Sequence, residues 1–139
     1  WYESSQLALK QMKEANKNYF VTSFDLYSLK RGIEILDGLN ETVKLKKVLF
    51  SKYASSEEDD YLNFLSLGHK IVWESERIYF PFELGDQSVI IENQIISKIK
   101  VKRLSNQFRE SLLYMAEEIV APEDKGKVKK AFKQLEKEV

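Results

Sequence analysis

The chain has 139 residues, of which 43% are hydrophobic and 32% are charged, so its composition is that of a folded domain and not of a disordered segment. The 22 basic and 22 acidic residues give a net charge of zero, which excludes a global positive field for nucleic acid or anionic membrane. The sequence has no cysteine and no apolar run of ~20 residues, so disulfides and membrane-spanning helices are not expected, and we expect a cytoplasmic protein.

The first part of the chain alternates helical and strand patterns. Apolar residues recur at helical spacing in residues 4–16 and again in residues 26–39. Residues 19–22 and 43–50 are β-prone, and the second run becomes apolar enough for a strand in a buried sheet. These patterns predict a helix, a strand, a second helix and a second strand.

A third helix and further strand structure follow. Ser55 and Ser56 precede an acidic turn at residues 57–60, where carboxylates favour the start of a helix. Residues 69–73 and 77–80 are predicted either as two short strands joined by a charged turn or as one bent strand.

The remaining sequence is predicted to be helical. A helix is expected over residues 87–96, after the break at Pro81. Residues 104–119 carry a clean apolar stripe with Ser105 as a candidate N-cap, and residues 124–139 carry another stripe amid six lysines. Strands that alternate with helices imply crossover connections, so we expect an α/β fold with a mostly parallel sheet flanked by helices.

Four segments carry the features of a known family in the same order. Residues 20–31 join a strand ending in Val-Thr-Ser to a helix with a basic start, and residues 48–53 end a second strand. Residues 78–83 end a third strand in Tyr-Phe-Pro before an acid, and residues 108–119 form the closing helix. This arrangement resembles the C-terminal half of the ParA/MinD superfamily of P-loop ATPases, which includes CpaE/TadZ-like relatives. The chain departs from that family in having Ser51-Lys52 where Asn-Arg is common.

The resemblance implies a partial P-loop NTPase (Rossmann-like) fold over residues 1–121, followed by a basic amphipathic helix at residues 122–139. In this family, nucleotide-dependent dimerisation positions or partitions a cargo such as a plasmid, a chromosome, or secretion or pilus machinery. The resemblance therefore implies ATP and magnesium as cofactors of the intact protein, a homodimer and a protein partner.

The phosphate-binding part of such an ATPase is missing from this sequence. The chain contains no Gly-rich Lys-Ser/Thr loop to hold the phosphates, and it begins at Trp1 without a methionine, so we expect it to be a piece of a longer protein. We expect no catalytic residue, no metal ligand and no bound cofactor in this fragment, which should not hydrolyse ATP alone. The alternative is a non-catalytic protein-interaction module of the same architecture.

The candidate nucleotide-base site lies where two strands end. Ser51 follows one strand, and Pro81, Phe82 and Glu83 follow another. Open α/β sheets bind ligands at the carboxyl ends of their strands, so these four residues are predicted to surround the base. The alternative interpretation is that they are loop and packing residues.

The C-terminal segment is the candidate partner or membrane helix. Its apolar stripe contains Val128, Phe132 and Leu135 beside a basic face. A helix of about 15 residues is marginal by itself in water, so this stripe must pack on something. Packing on the domain or on a protein partner is favoured over lipid, because one small stripe gives little insertion energy.

Three other patterns are better explained by structure than by function. His69 is the only histidine and has no evident partner for a metal site or a triad. The carboxylates of residues 57–60 are explained by the helix dipole, although they also suit a cation. The aromatic residues between 19 and 27, with Lys30 and Arg31, suit single-stranded nucleic acid, but their spacing puts most rings in the core.

Overall fold

The structure is a computed structural model that describes residues 2–23, 25–51, 56–81 and 83–138. Every predicted helix and strand is present, and the strand structure predicted within residues 69–80 is a single strand that begins at Ile71. The helices are α1 (Tyr2–Glu14), α2 (Leu26–Asp37), α3 (Ser56–Leu65), α4 (Leu84–Ile96), α5 (Asn106–Ile119) and α6 (Lys125–Lys137). The strands are β1 (Tyr19–Ser23), β2 (Val43–Ser51) and β3 (Ile71–Pro81).

The three strands form one parallel sheet in the order β1-β2-β3. β1 and β2 run parallel with Val21 opposite Val48. On the other side of β2, the Val43 amide donates to the Lys70 carbonyl at 3.3 Å, at the start of β3. Helices α2 and α3 make the two crossovers that parallel neighbours require. The predicted α/β class with a parallel sheet flanked by helices is therefore confirmed.

The chain divides into two compact units, Trp1–Tyr79 and Phe80–Val139. In the first unit, alternate residues of β2 pack against α1, α2 and α3. Leu29, Leu49 and Leu62 join α2, β2 and α3 in one cluster and are fully buried. Burial of each leucine side chain contributes about 1.5–3 kcal/mol. A second cluster joins α1 to the same face through Leu9, Leu36, Leu39, Val43 and Leu45.

The second unit consists of the end of β3 and the last three helices. The buried Asp86 carboxylate of α4 accepts hydrogen bonds from the Ser105 amide and hydroxyl, each at 2.7 Å. The Ser105 side chain in turn accepts from the Phe108 amide, which confirms Ser105 as the N-cap of α5. Phe108 packs on Phe80 with ring centroids 5.0 Å apart. One carboxylate therefore ties α4 to the start of α5.

Candidate functional site

Two of the predicted base-binding residues are the last residues of strands. Ser51 is the last residue of β2 and is buried in the first unit. Pro81 is the last residue of β3, in the second unit, and is also buried. Glu83 is exposed at the N-cap position of α4, and Phe82 lies outside the described residues. Their contact with a base stays a prediction.

The first unit contains a buried charge cluster formed by Lys47 of β2, Asp59 and Asn63 of α3, and Arg77 of β3. The Lys47 Nζ lies 2.5 Å from Asp59 Oδ1 and 2.5 Å from Asn63 Oδ1. The other oxygen of Asp59 lies 3.3 Å from Arg77 Nη1. The Lys47 side chain is only 4% exposed and that of Asp59 12%, whereas that of Arg77 is 34% exposed.

Trp73 and Ser66 complete the surroundings of Lys47. The Lys47 Nζ lies 5.2 Å from the centroid of the Trp73 ring, a distance typical of a cation–π contact. The Trp73 Nε1 donates to Ser66 Oγ at 2.8 Å, and that hydroxyl donates to the Asn63 carbonyl at 2.9 Å. The polar groups around the ammonium are therefore paired with one another, as a buried charge requires.

This arrangement favours positioning over chemistry. Both carboxylate oxygens of Asp59 are held by cations, and the Lys47 ammonium donates to two side-chain oxygens, so neither group is free to contact a substrate. The cluster instead joins α3 to β2 and β3 through ion pairs and a hydrogen bond.

The sequence analysis missed the buried charge cluster. The acidic turn was assigned to the helix dipole, whereas Asp59 points inward and makes two ion pairs. A signal was present in β2, where the adjacent lysines Lys46 and Lys47 stand between apolar residues. A buried lysine in such a strand needs a carboxylate, and residues 57–60 supply the first ones that follow β2 in the sequence.

Asp25 begins α2 directly after β1, at the same edge of the sheet. Its Oδ1 accepts from the Ser28 amide at 2.8 Å, and its Oδ2 accepts from Ser23 Oγ at 2.8 Å. The hydrogen bond from the Ser28 backbone lowers the pKa of Asp25 below 3.8, with smaller contributions from the Ser28 and Ser23 side chains. Asp25 is thus a charged N-cap that fixes the turn after β1.

Neither His69 nor the acidic residues form a metal centre in the part of the chain that the structure describes. His69 precedes β3, and its Nδ1 lies 3.3 Å from Asp37 Oδ1. Over the same residues, no group of three or more histidine, aspartate and glutamate side chains is arranged to hold an ion.

A cavity of about 420 Å³ lies in the second unit beside α4. Val89 and Ile96 supply apolar walls, while Lys100, Lys102 and Arg103 supply cations. Arg103 already pairs with Glu92 at 2.9 Å. The charged side chains that line this cavity are exposed or half-buried, so the lining lacks a buried charged group to orient a ligand.

The C-terminal helix lies against its own unit. α6 packs on α5, and Val128, Phe132 and Leu135 are each half-buried. The Arg109 guanidinium of α5 donates to Glu136 of α6 at 3.1 Å. Within the described ranges, no helix combines the length and apolar character needed to cross a bilayer.

Comparisons with protein-family models, with curated proteins and with solved structures gave no match for this chain.

Proposed function

We propose that this chain is the C-terminal portion of a ParA/MinD-like ATPase that positions or partitions a cargo through nucleotide-dependent dimerisation. The observation that carries the proposal is the parallel sheet β1-β2-β3, in which each strand is followed by a helix. The order of strands and helices is the one that the resemblance to the family implies.

The sheet edge provides further support. Asp25 caps the helix after β1, Ser51 is the last residue of β2 and Pro81 is the last residue of β3. Ligands of open α/β sheets bind at this edge, because loops and helix N-termini converge there. In the proposal, Ser51, Pro81, Phe82 and Glu83 contact the base of ATP, while the preceding part of the intact protein holds the phosphates and magnesium.

The test compares Mg·ATP turnover by the 139-residue chain with turnover by the intact protein. We expect no turnover by the chain alone, because it lacks the groups that stabilise the transferred phosphoryl. The intact protein should hydrolyse ATP and should bind it more weakly after Glu83→Ala, which removes an exposed side chain proposed to contact the base. Glu110→Ala, an exposed change on α5, is the control. An intact protein that neither binds nor hydrolyses ATP would refute the proposal.

A non-catalytic interaction module is the second candidate. It is favoured by one observation, the large apolar side chains that α4 exposes to solvent. An intact protein that binds a partner through α4 and has no affinity for nucleotides would support it.

A further inference from the structure

The outer face of α4 carries an exposed apolar stripe, which we name the α4 stripe: Leu84, Ser88, Ile91 and Ile95. The exposed fraction is 83% for Leu84, 55% for Ile91 and 76% for Ile95. The spacing of four, three and four residues is that of a seam between paired helices, in which each residue faces the partner once per turn.

The opposite face of α4 is already used by its own unit. Val89 and Asp86 are buried, and Asn93 donates to the Lys100 carbonyl at 2.8 Å. At 3.6 residues per turn, these three residues lie on the side of the helix away from the α4 stripe. The inner side of α4 is thus enclosed by its own unit, whereas the outer side exposes large apolar side chains to solvent, which indicates a docking surface.

The charges around the α4 stripe identify the occupant. Glu83 is exposed at its amino end and Lys98 is exposed beyond its carboxyl end, while the stripe itself contains no charge. If two α4 helices pair antiparallel about an axis between Ser88 and Ile91, Leu84 of each copy faces Ile95 of the other. Each Glu83 then lies within about one helical turn of Lys98 on the other copy.

We propose that the α4 stripe is a two-fold interface that joins two copies of this chain through antiparallel α4 helices. A surface with an acid at one end and a base at the other is complementary to itself when it is turned around. An anionic lipid surface fits this face less well, because Glu83 and Glu92 lie beside the stripe and Lys98 is at one end only.

The size of the α4 stripe limits how strongly two copies of the chain can associate. A helix of 13 residues is about 20 Å long, and one such seam buries less than the ~800 Å² per partner of a standard interface. We therefore expect a weak dimer whose population rises with protein concentration and does not require nucleotide. This contact is separate from the nucleotide-dependent dimerisation of the proposed function, since it needs no phosphate-binding part. Its test uses no nucleotide, so the role proposed for Glu83 at the base does not affect the result.

Sedimentation velocity of the 139-residue chain over a wide concentration range, without nucleotide, tests the interface. We expect a concentration-dependent dimer for the wild type and at least about tenfold weaker association for Ile91→Glu and for Ile95→Glu, which bury charges in the seam. The matched control is Ile119→Glu, because Ile119 is 63% exposed and is the last residue of a different helix, α5. It should associate like the wild type, and circular dichroism should be the same for all variants.

Exchanging the charges of Glu83 and Lys98 tests the antiparallel arrangement. Lys98→Glu places two acids together at each end of the pair and should weaken association, whereas Glu83→Lys combined with Lys98→Glu should restore it to within about twofold. A wild type that stays monomeric throughout the range, or Ile91→Glu and Ile119→Glu with equal effects, would overturn the interface. If the double exchange does not restore association, the α4 helices of the two copies do not pair in the antiparallel arrangement.

Discussion

Replacing Asp59 by asparagine isolates the electrostatic role of the buried charge cluster. Asparagine has nearly the volume of aspartate, so the change removes the charge without opening a cavity. Lys47 and Arg77 then face each other across a neutral amide. Arg77 has partial access to water, but the Lys47 ammonium has almost none.

The burial of Lys47 sets the magnitude of the effect. Removal of one partner from a buried ion pair typically costs 3–5 kcal/mol, because the remaining charge is left uncompensated. Lys47 retains the Asn63 side-chain oxygen and the Trp73 ring, so we expect a loss at the lower end, about 3 kcal/mol. The exposed neighbour Asp60 provides a control, and Asp60→Asn should change the free energy of unfolding by less than about 0.5 kcal/mol.

Urea unfolding followed by the fluorescence of Trp73 measures this free energy. The sequence has two tryptophans, so the measurements use a Trp1→Phe background in which Trp73, at the cluster, is the reporter. Lys47→Met added to Asp59→Asn should recover part of the loss, because the double variant no longer buries an unpaired charge. If Asp59→Asn unfolds at the same urea concentration as Asp60→Asn, Lys47 does not depend on the carboxylate and the reasoning is wrong.

Three further predictions concern backbone strain, polar contacts and pH. Ser97 ends α4 with a left-handed backbone (φ 54°), so Ser97→Gly should stabilise the second unit by about 0.5–1 kcal/mol in urea unfolding followed by far-UV circular dichroism, and a loss of stability would contradict this. Asp86→Asn leaves one of the two Ser105 donors without its acceptor and should cost about 1–3 kcal/mol in the circular-dichroism assay, compared with exposed Glu110→Gln in the same unit. Because the folded pKa of Asp25 is lowered, its contribution to stability is present above the ordinary pKa of 3.8 and is lost as the pH falls through the folded value. Asp25→Asn should therefore flatten the decline in urea midpoint below pH 3.8, and an unchanged decline would refute this role.

The helices and strands were predictable from the sequence, because their signals are local. The apolar spacing of α2 and α5, the cap at Ser105 and the β-prone run of β2 each depend on neighbours within one or two turns or strands. The alternation of these elements also favoured a parallel sheet, since parallel neighbours need a crossover. The bounds differ from those predicted by a few residues, as expected at element ends.

Only the tertiary structure decided which charges are buried and which apolar side chains are left exposed. Lys47 and Asp59 are twelve residues apart on a strand and a helix, and their sequence patterns alone are those of a charged strand position and a helix start. The two isoleucines Ile91 and Ile95 fit a core helix by spacing, yet α4 turns Val89 inward and leaves them in solvent. The local periodicity of the sequence determines that a helix has an apolar face. The packing of elements that are distant in the sequence determines what covers that face, because burial depends on contacts across the whole unit.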